Sequence, residues 1–170
     1  MPRRYLLLVL AGEAGERMQE LRREWDPVMA ERIDPHITLV YPQEFTDEDL
    51  LLERTSETAS RTEPFEVRSG TVERSNLGGV WTHVIDDSGT WSELRTAILT
   101  PPFTPYPVTP HITIVHPRTS NRSMEALAAI DGTQVCRRCR VDEVLYAETG
   151  RNGTRVLRTF PLGRTKGMSA

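Results

Sequence analysis

Apolar positions recur along this chain with two periods, two and about three and a half, and the switches between them outline its elements. Arg3 to Ala11 opens as a strand, its apolar run from Tyr5 stopped by Gly12. From Glu13 to Trp25, Met18, Leu21 and Trp25 fall at three- and four-residue spacing among Glu and Arg, which predicts an amphipathic helix. Pro35 pushes the preceding backbone into an extended course, and His36 to Tyr41, rich in β-branched residues, reads as a strand. Thr46-Asp47-Glu48-Asp49 supplies a side-chain cap and acidic first-turn residues for a helix to about Arg61. Phe65 to Asn76 and Val80 to Asp86 form a predicted hairpin around Leu77-Gly78-Gly79. Trp91 to Leu99 is helical, and the loop Pro101 to Pro107 that follows carries four of the twelve prolines. His111 to His116 is a strand, and Asn121 to Ile130 a helix. Val135 to Ala147 and Val156 to Leu162 close the chain as strands about the turn Arg151-Asn152-Gly153. The class is α+β with sheet at the core.

Composition narrows the functions available. At 170 residues the chain is one domain's worth, residues 1–170, with a polar tail expected to fray from about residue 163. The length suffices for a core without disulfides or a structural metal. The net charge of −3 offers no general field for long nucleic acid or an anionic membrane. Twenty of the 21 basic residues are Arg, a bias that points to genome composition rather than function. The apolar run Tyr5 to Ala11 is too short to span a bilayer and reads as a buried first strand rather than a leader. Two Cys cannot staple a fold of this size, so the expected compartment is the reducing cytoplasm.

The informative feature is a repeat. Pro35-His36-Ile37-Thr38-Leu39-Val40-Tyr41-Pro42 and Pro110-His111-Ile112-Thr113-Ile114-Val115-His116-Pro117 agree at six of eight positions, 75 residues apart. Each copy follows one helix and precedes another, which predicts two similar lobes about an approximate two-fold axis. In a strand, residues i and i+2 share a face about 6.5 Å apart. His36 and Thr38 therefore face one way and Ile37, Leu39 and Tyr41 the other. In the second copy His111 and Thr113 oppose Ile112, Ile114 and His116. If the apolar faces pack on helices, two imidazoles and two hydroxyls line one groove.

That set suits metal-independent phosphodiester chemistry. One neutral imidazole takes a proton from the attacking oxygen while an imidazolium opposite gives one to the leaving oxygen, each worth about 10²–10⁴-fold. Thr38 and Thr113 donate to the non-bridging phosphate oxygens, where charge accumulates. In-line displacement requires the acid and the base on opposite sides of phosphorus, which a two-fold groove provides. A metal centre is a poorer reading of the same residues. Neither copy carries a His-x-His, a His-Glu-x-x-His or a nearby carboxylate or thiolate at ligand spacing.

These paired strands resemble the two-histidine (2H) phosphoesterase superfamily, and within it the 2′-5′ RNA ligase and RNA 2′,3′-cyclic phosphodiesterase group. The carriers are His36-Ile37-Thr38-Leu39 and His111-Ile112-Thr113-Ile114. Arg3 to Leu8 resembles the family's first strand, and Val144-Leu145-Tyr146 through Phe160-Pro161-Leu162 its closing hairpin. The resemblance implies two pseudo-symmetric antiparallel-sheet lobes flanked by helices with a central groove. It implies opening of a 2′,3′-cyclic phosphate on an RNA end or nucleotide, without cofactor or metal, by a monomer that needs no protein partner. It implies His111 as the group that activates water and His36 as the one that protonates the leaving oxygen. A 2′-5′ linkage, a cyclic phosphate on a sugar nucleotide, and a nucleotide-binding module without chemistry remain alternatives. No Gly-x-x-x-x-Gly-Lys-Ser/Thr loop supports ATP-driven ligation.

The remaining candidates carry weaker signals. Tyr106 and Phe103, on the proline-rich loop before the second copy, are candidates for stacking a base. Arg3, Arg4, Arg118 and Arg122 are the basic residues available to a phosphate tail. Cys136-Arg137-Arg138-Cys139 lacks the second pair of a zinc ribbon; in a continuous strand its sulfurs fall on opposite faces as small buried hydrophobes. His83 is expected in packing or at the groove edge. His116, opposite His111, is set aside.

Overall fold

The computed structural model describes residues 3–150 and 152–163. The element order is β1 (Arg3–Val9), α1 (Gly12–Trp25), α2 (Pro27–Arg32), β2 (His36–Val40), α3 (Glu48–Arg61), β3 (Phe65–Arg74) and β4 (Val80–Ile85), followed by α4 (Thr90–Ile98), β5 (His111–Val115), α5 (Ser123–Ile130), β6 (Cys139–Val141), β7 (Glu143–Gly150) and β8 (Gly153–Pro161). The strands make two antiparallel four-stranded sheets, ordered β2-β1-β7-β8 and β5-β4-β3-β6. Among the described residues no helix is long and apolar enough to cross a membrane. The expected turn residue Arg151 and the tail beyond residue 163 lie outside the described residues.

The two copies of the octapeptide occupy equivalent places. β2 and β5 end their respective sheets, pack against each other, and share one burial pattern. Ile37, Leu39, Ile112 and Ile114 are all 0% exposed, whereas the His and Thr between them are half-buried. Each fully buried aliphatic side chain contributes roughly 1.5–3 kcal/mol. That is what turns the imidazoles to the opposite face.

The helices are exchanged between lobes. α1 follows β1 of the first sheet yet packs on β5 and β6 of the second, and α4 follows β4 of the second yet packs on β2 of the first. α3 and α5 back their sheets at β7–β8 and β3–β4 respectively. Each exchanged helix sends a buried arginine to the other lobe's motif strand. Arg22 of α1 donates from Nε to the Thr113 carbonyl at 2.9 Å, and from Nη1 to the Ile33 carbonyl at 3.0 Å. Arg95 of α4 donates from Nη1 to the Leu39 carbonyl at 2.5 Å. A buried carboxylate accompanies each. Asp26 accepts from the His116 amide at 2.9 Å, and Glu44 accepts from the Tyr41 amide at 2.7 Å, so both chains are pinned where they leave the strand.

Three features depart from the sequence expectation. Between Trp25 and Pro35 lies the short helix α2, capped by Asp26, whose Oδ1 accepts from the Met29 amide at 3.0 Å, with Pro27 in the first turn. The segment 135–147 is two strands: β6 pairs with β3 in one sheet and β7 with β1 and β8 in the other, the chain crossing between lobes at Asp142. The Cys136 and Cys139 side chains meet rather than falling on opposite faces, because Cys136 precedes β6 in a loop and strand alternation does not separate the pair.

The Arg95–Glu44 pair, 9% and 0% exposed, is bidentate and also orders Tyr106 of the proline-rich loop. Removing one partner leaves a buried charge uncompensated, so Arg95→Met should lower unfolding free energy by about 3–5 kcal/mol in urea titrations. The double variant Arg95→Met/Glu44→Leu should lose less than the sum of the single losses.

Candidate active site

The backbone entering each motif strand holds its imidazole in one way. His36 Nδ1 lies 2.7 Å from the Asp34 carbonyl and His111 Nδ1 2.9 Å from the Thr109 carbonyl, each two residues upstream. A carbonyl only accepts, so Nδ1 carries the proton in both rings. Nε2 is left as the working nitrogen: a lone pair when the ring is neutral, a donor when it is charged. The two rings are close enough that positive charge on His111 opposes charge on His36.

Burial pushes both imidazoles below the ordinary value of 6.5. His36 is pushed further, to about 4, by burial and then by the Arg22 guanidinium. Arg22 is itself 0% exposed and is lowered by burial to about 10, so it remains charged at neutral pH. Its Nη2 has no partner among the described residues. On His111 burial acts first and the His83 imidazole adds to it, with no guanidinium among the causes, and the ring rests against Trp81, centroids 4.5 Å apart and planes at 47°. The pseudo-symmetric frame thus holds two imidazoles in unlike surroundings.

The groove faces of the lobes differ as well. On the second sheet Trp81 and His83 of β4 stand directly beside Thr113 and His111 of β5, and Glu73 of β3 stands beside Trp81. Glu73 Oε1 accepts from the Trp81 indole N–H at 3.1 Å and lies 2.5 Å from His83 Nε2. On the first sheet Leu7 pairs with Thr38 and Val9 with His36. These two, with Leu145, Ala147, Thr154, Val156 and residues 30–34, wall a cavity of about 220 Å³ that His36 also lines. Among the described residues no three His, Cys, Asp or Glu side chains gather as a metal-binding group.

The remaining candidates divide. Tyr106 is 55% exposed, with its backbone anchored by Glu44 and Arg95. Phe103 is 5% exposed and lies in the core under the Arg54 guanidinium, so its ring is not available to stack a base. Arg4 is paired with Glu48 and Glu148, and Arg122 with Glu125, the Glu24 carbonyl and the Trp25 ring. His116 Nδ1 accepts from the Arg118 amide at 3.1 Å. His83 belongs to the groove face. Tyr41 lies just beyond β2, which ends at Val40; burial pushes its phenol up, and its ring meets Tyr5 edge-on with centroids 6.4 Å apart. Trp81 and Glu73 are additional groove residues; Trp81 was accessible through its i, i+2 relation to His83.

Two exchanged α+β lobes meeting at paired His-x-Thr strands define a 2H phosphoesterase fold. The sequence profile of the 2′-5′ RNA ligase superfamily matches residues 11–153, and the chain belongs to that superfamily. No curated protein matches it by sequence. Among solved structures it is similar to a protein described as a phosphoesterase, with a TM-score of 0.69 and 16% identity over 96% of this chain and 100% of that one. It is similar to Escherichia coli LigT complexed with 3′-AMP, with a TM-score of 0.67 and 18% identity over 96% and 100%. It is similar to TT0787 of Thermus thermophilus, with a TM-score of 0.64 and 16% identity over 95% and 98%. At such identities these likenesses establish the fold.

Two outcomes follow from the charges at the site. Replacing Arg22 by Met should raise the His36 titration midpoint from about 4 towards 6.5, followed by the imidazole proton resonances, while Arg22→Lys should leave it low. Because the native state holds His36 below 6.5, the unfolded chain binds more protons, and stability should fall as pH drops from 6.5 towards 4. Urea midpoints across that window, for the native protein and for His36→Gln, measure the effect.

Proposed function

We propose that this protein is a metal-independent phosphodiesterase of the cytoplasm, acting as a monomer to open 2′,3′-cyclic phosphates on RNA ends or nucleotides. The observation that carries the reading is the pair of half-buried imidazoles on facing strands, each with Nδ1–H held by a carbonyl two residues upstream. Phosphorus sits between them, and Thr38 and Thr113 donate to its non-bridging oxygens. A water loses its proton to one Nε2 as its oxygen bonds phosphorus; the ribose oxygen departs on the other side with a proton from the second Nε2. The product is a phosphomonoester, and the two imidazoles have exchanged protonation states.

Charge placement argues for an order opposite to the one the family resemblance implies. Arg22 disfavours a proton on His36, which therefore acts as the neutral base. His111, against the Trp81 ring and free of that cation, gives the proton. A substrate phosphate between the rings raises both and leaves the difference in place.

The test is hydrolysis of the four nucleoside 2′,3′-cyclic monophosphates, and of an RNA oligomer with a cyclic 3′ end, in excess EDTA. Ring opening is expected, with His36→Ala and His111→Ala each about 10²–10⁴-fold slower. Thr38→Val and Thr113→Val should each lower kcat by up to about 10²–10³-fold. Failure to open any of these substrates overturns the proposal. On a p-nitrophenyl phosphodiester, whose leaving group needs no proton, His111→Ala should recover most of its activity and His36→Ala should not. The reverse pattern exchanges the two roles.

A further inference from the structure

We propose that Trp81 and His83, with Glu73 behind them, form the subsite that holds the nucleoside part of the substrate on the His111 side of the groove. The proposal rests on the phosphodiesterase reading and assigns its substrate a place. Register puts the residues next to the chemistry: His83 pairs with His111, Trp81 with Thr113, and Glu73 with Trp81. Between them on β4, Val80, Thr82 and Val84 are buried on the opposite face, so Trp81 and His83 point to the groove side.

The hydrogen bonding of this cluster is incomplete in a specific way. The Glu73 carboxylate accepts from the Trp81 indole at 3.1 Å and meets His83 Nε2 at 2.5 Å, which fixes the indole plane and puts the His83 proton on Nε2. His83 Nδ1 is buried and has no partner among the described residues. That nitrogen lies out of reach of solvent, so the ring serves the subsite as a wall beside the indole. Trp81 meets His111 and His83 at 47° and 51°, edge contacts rather than parallel stacks, and neither imidazole covers the indole as a stacked base would.

Reaction geometry selects the occupant. The leaving oxygen belongs to the ribose, so the nucleoside lies on the side of the group that protonates it, which is His111. The Glu73 carboxylate disfavours a second phosphate at that place and accommodates a neutral nucleoside. The other lobe lines the approach to His36 with Leu7, Val9, Leu145 and Val156 and with the polar Glu31, Asp34 and Thr154, while its aromatic rings Tyr5 and Tyr41 are packed edge-on against each other.

The experiment compares nucleoside 2′,3′-cyclic monophosphates with glycerol 1,2-cyclic phosphate, the same five-membered cyclic diester without base or sugar ring. Stacking predicts that Trp81→Ala loses about 5- to 150-fold more kcat/KM on the nucleotides than on the glycerol ester, chiefly through KM. Trp81→Phe should recover part of that difference, and His83→Ala should show the same selectivity. In the native protein, adding a nucleoside 2′-monophosphate should shift the indole proton resonance that is missing in Trp81→Phe. Equal losses on both substrates, or no shift of that resonance, would overturn the subsite and leave the phosphodiesterase reading standing. Absence of turnover on every cyclic phosphate would overturn that reading instead, and the indole resonance would still decide whether a nucleotide sits on Trp81.

Discussion

Two buried guanidinium groups crossing between lobes set the geometry on which the groove depends. Arg22 and Arg95 sit on helices that begin in one sheet and pack on the other, and each donates to a carbonyl in the opposite motif strand. β2 and β5 are end strands, whose unpaired edges are ordinarily a liability. Here they meet each other, and their position is fixed by side chains rather than by a shared ladder. Asp26 and Glu44 complete the arrangement by holding the first amide beyond each strand, that of His116 and that of Tyr41. A shift of either strand would move an imidazole and break a buried charged hydrogen bond together, which is a reason for the site to be rigid where its two halves join.

The same crossing introduces the difference that acid–base chemistry requires. Arg95 is neutralised by a bidentate bond to Glu44. Among the described residues Arg22 contacts only carbonyls, with Asp26 and Asp34 acting on it from farther off, and its Nη2 has no partner. Equivalent scaffolding therefore carries unequal charge, and the excess lies on the His36 side. The groove faces diverge in parallel, aliphatic and polar side chains mixed around His36 and an indole–imidazole cluster around His111. Two-fold symmetry places an acid and a base on opposite sides of phosphorus, and its breaking assigns them.

Much of this was legible in the amino-acid order, for a physical reason. The octapeptide encodes an alternating strand with a core face and a chemical face, and alternation is a local property; both strands, their shared burial and the lobed α+β class followed from it. What was not legible is non-local. Cys139 and Val141 alternate in step, but the apolar phase shifts by one residue between Val141 and Val144, and such a shift does not by itself tell a bulge from a change of sheet at Asp142. Phe103 and Tyr106 look alike on one loop, yet Phe103 packs under Arg54 while Tyr106 is held outward by a carboxylate 62 residues away. The neighbourhood of Trp81 depends on register across three strands, which no single segment specifies. The helix α2 is a different case. Asp26-Pro27 is a cap and first-turn signature that the sequence does carry, in a segment too short to show a period.

Where the two octapeptides disagree is itself informative. They differ at Leu39 and Ile114, both buried and of like volume, and at Tyr41 and His116, which are unlike. The backbone at that last position does the same work in both lobes, its amide given to a buried carboxylate. The side chains do not. His116 turns its Nδ1 to the Arg118 amide and is spent on the local turn, whereas the Tyr41 ring meets Tyr5 edge-on with centroids 6.4 Å apart. The one unlike pair thus falls just past the end of each strand, where the amide alone carries the shared work of pinning the chain and the side chain is left to differ between the lobes.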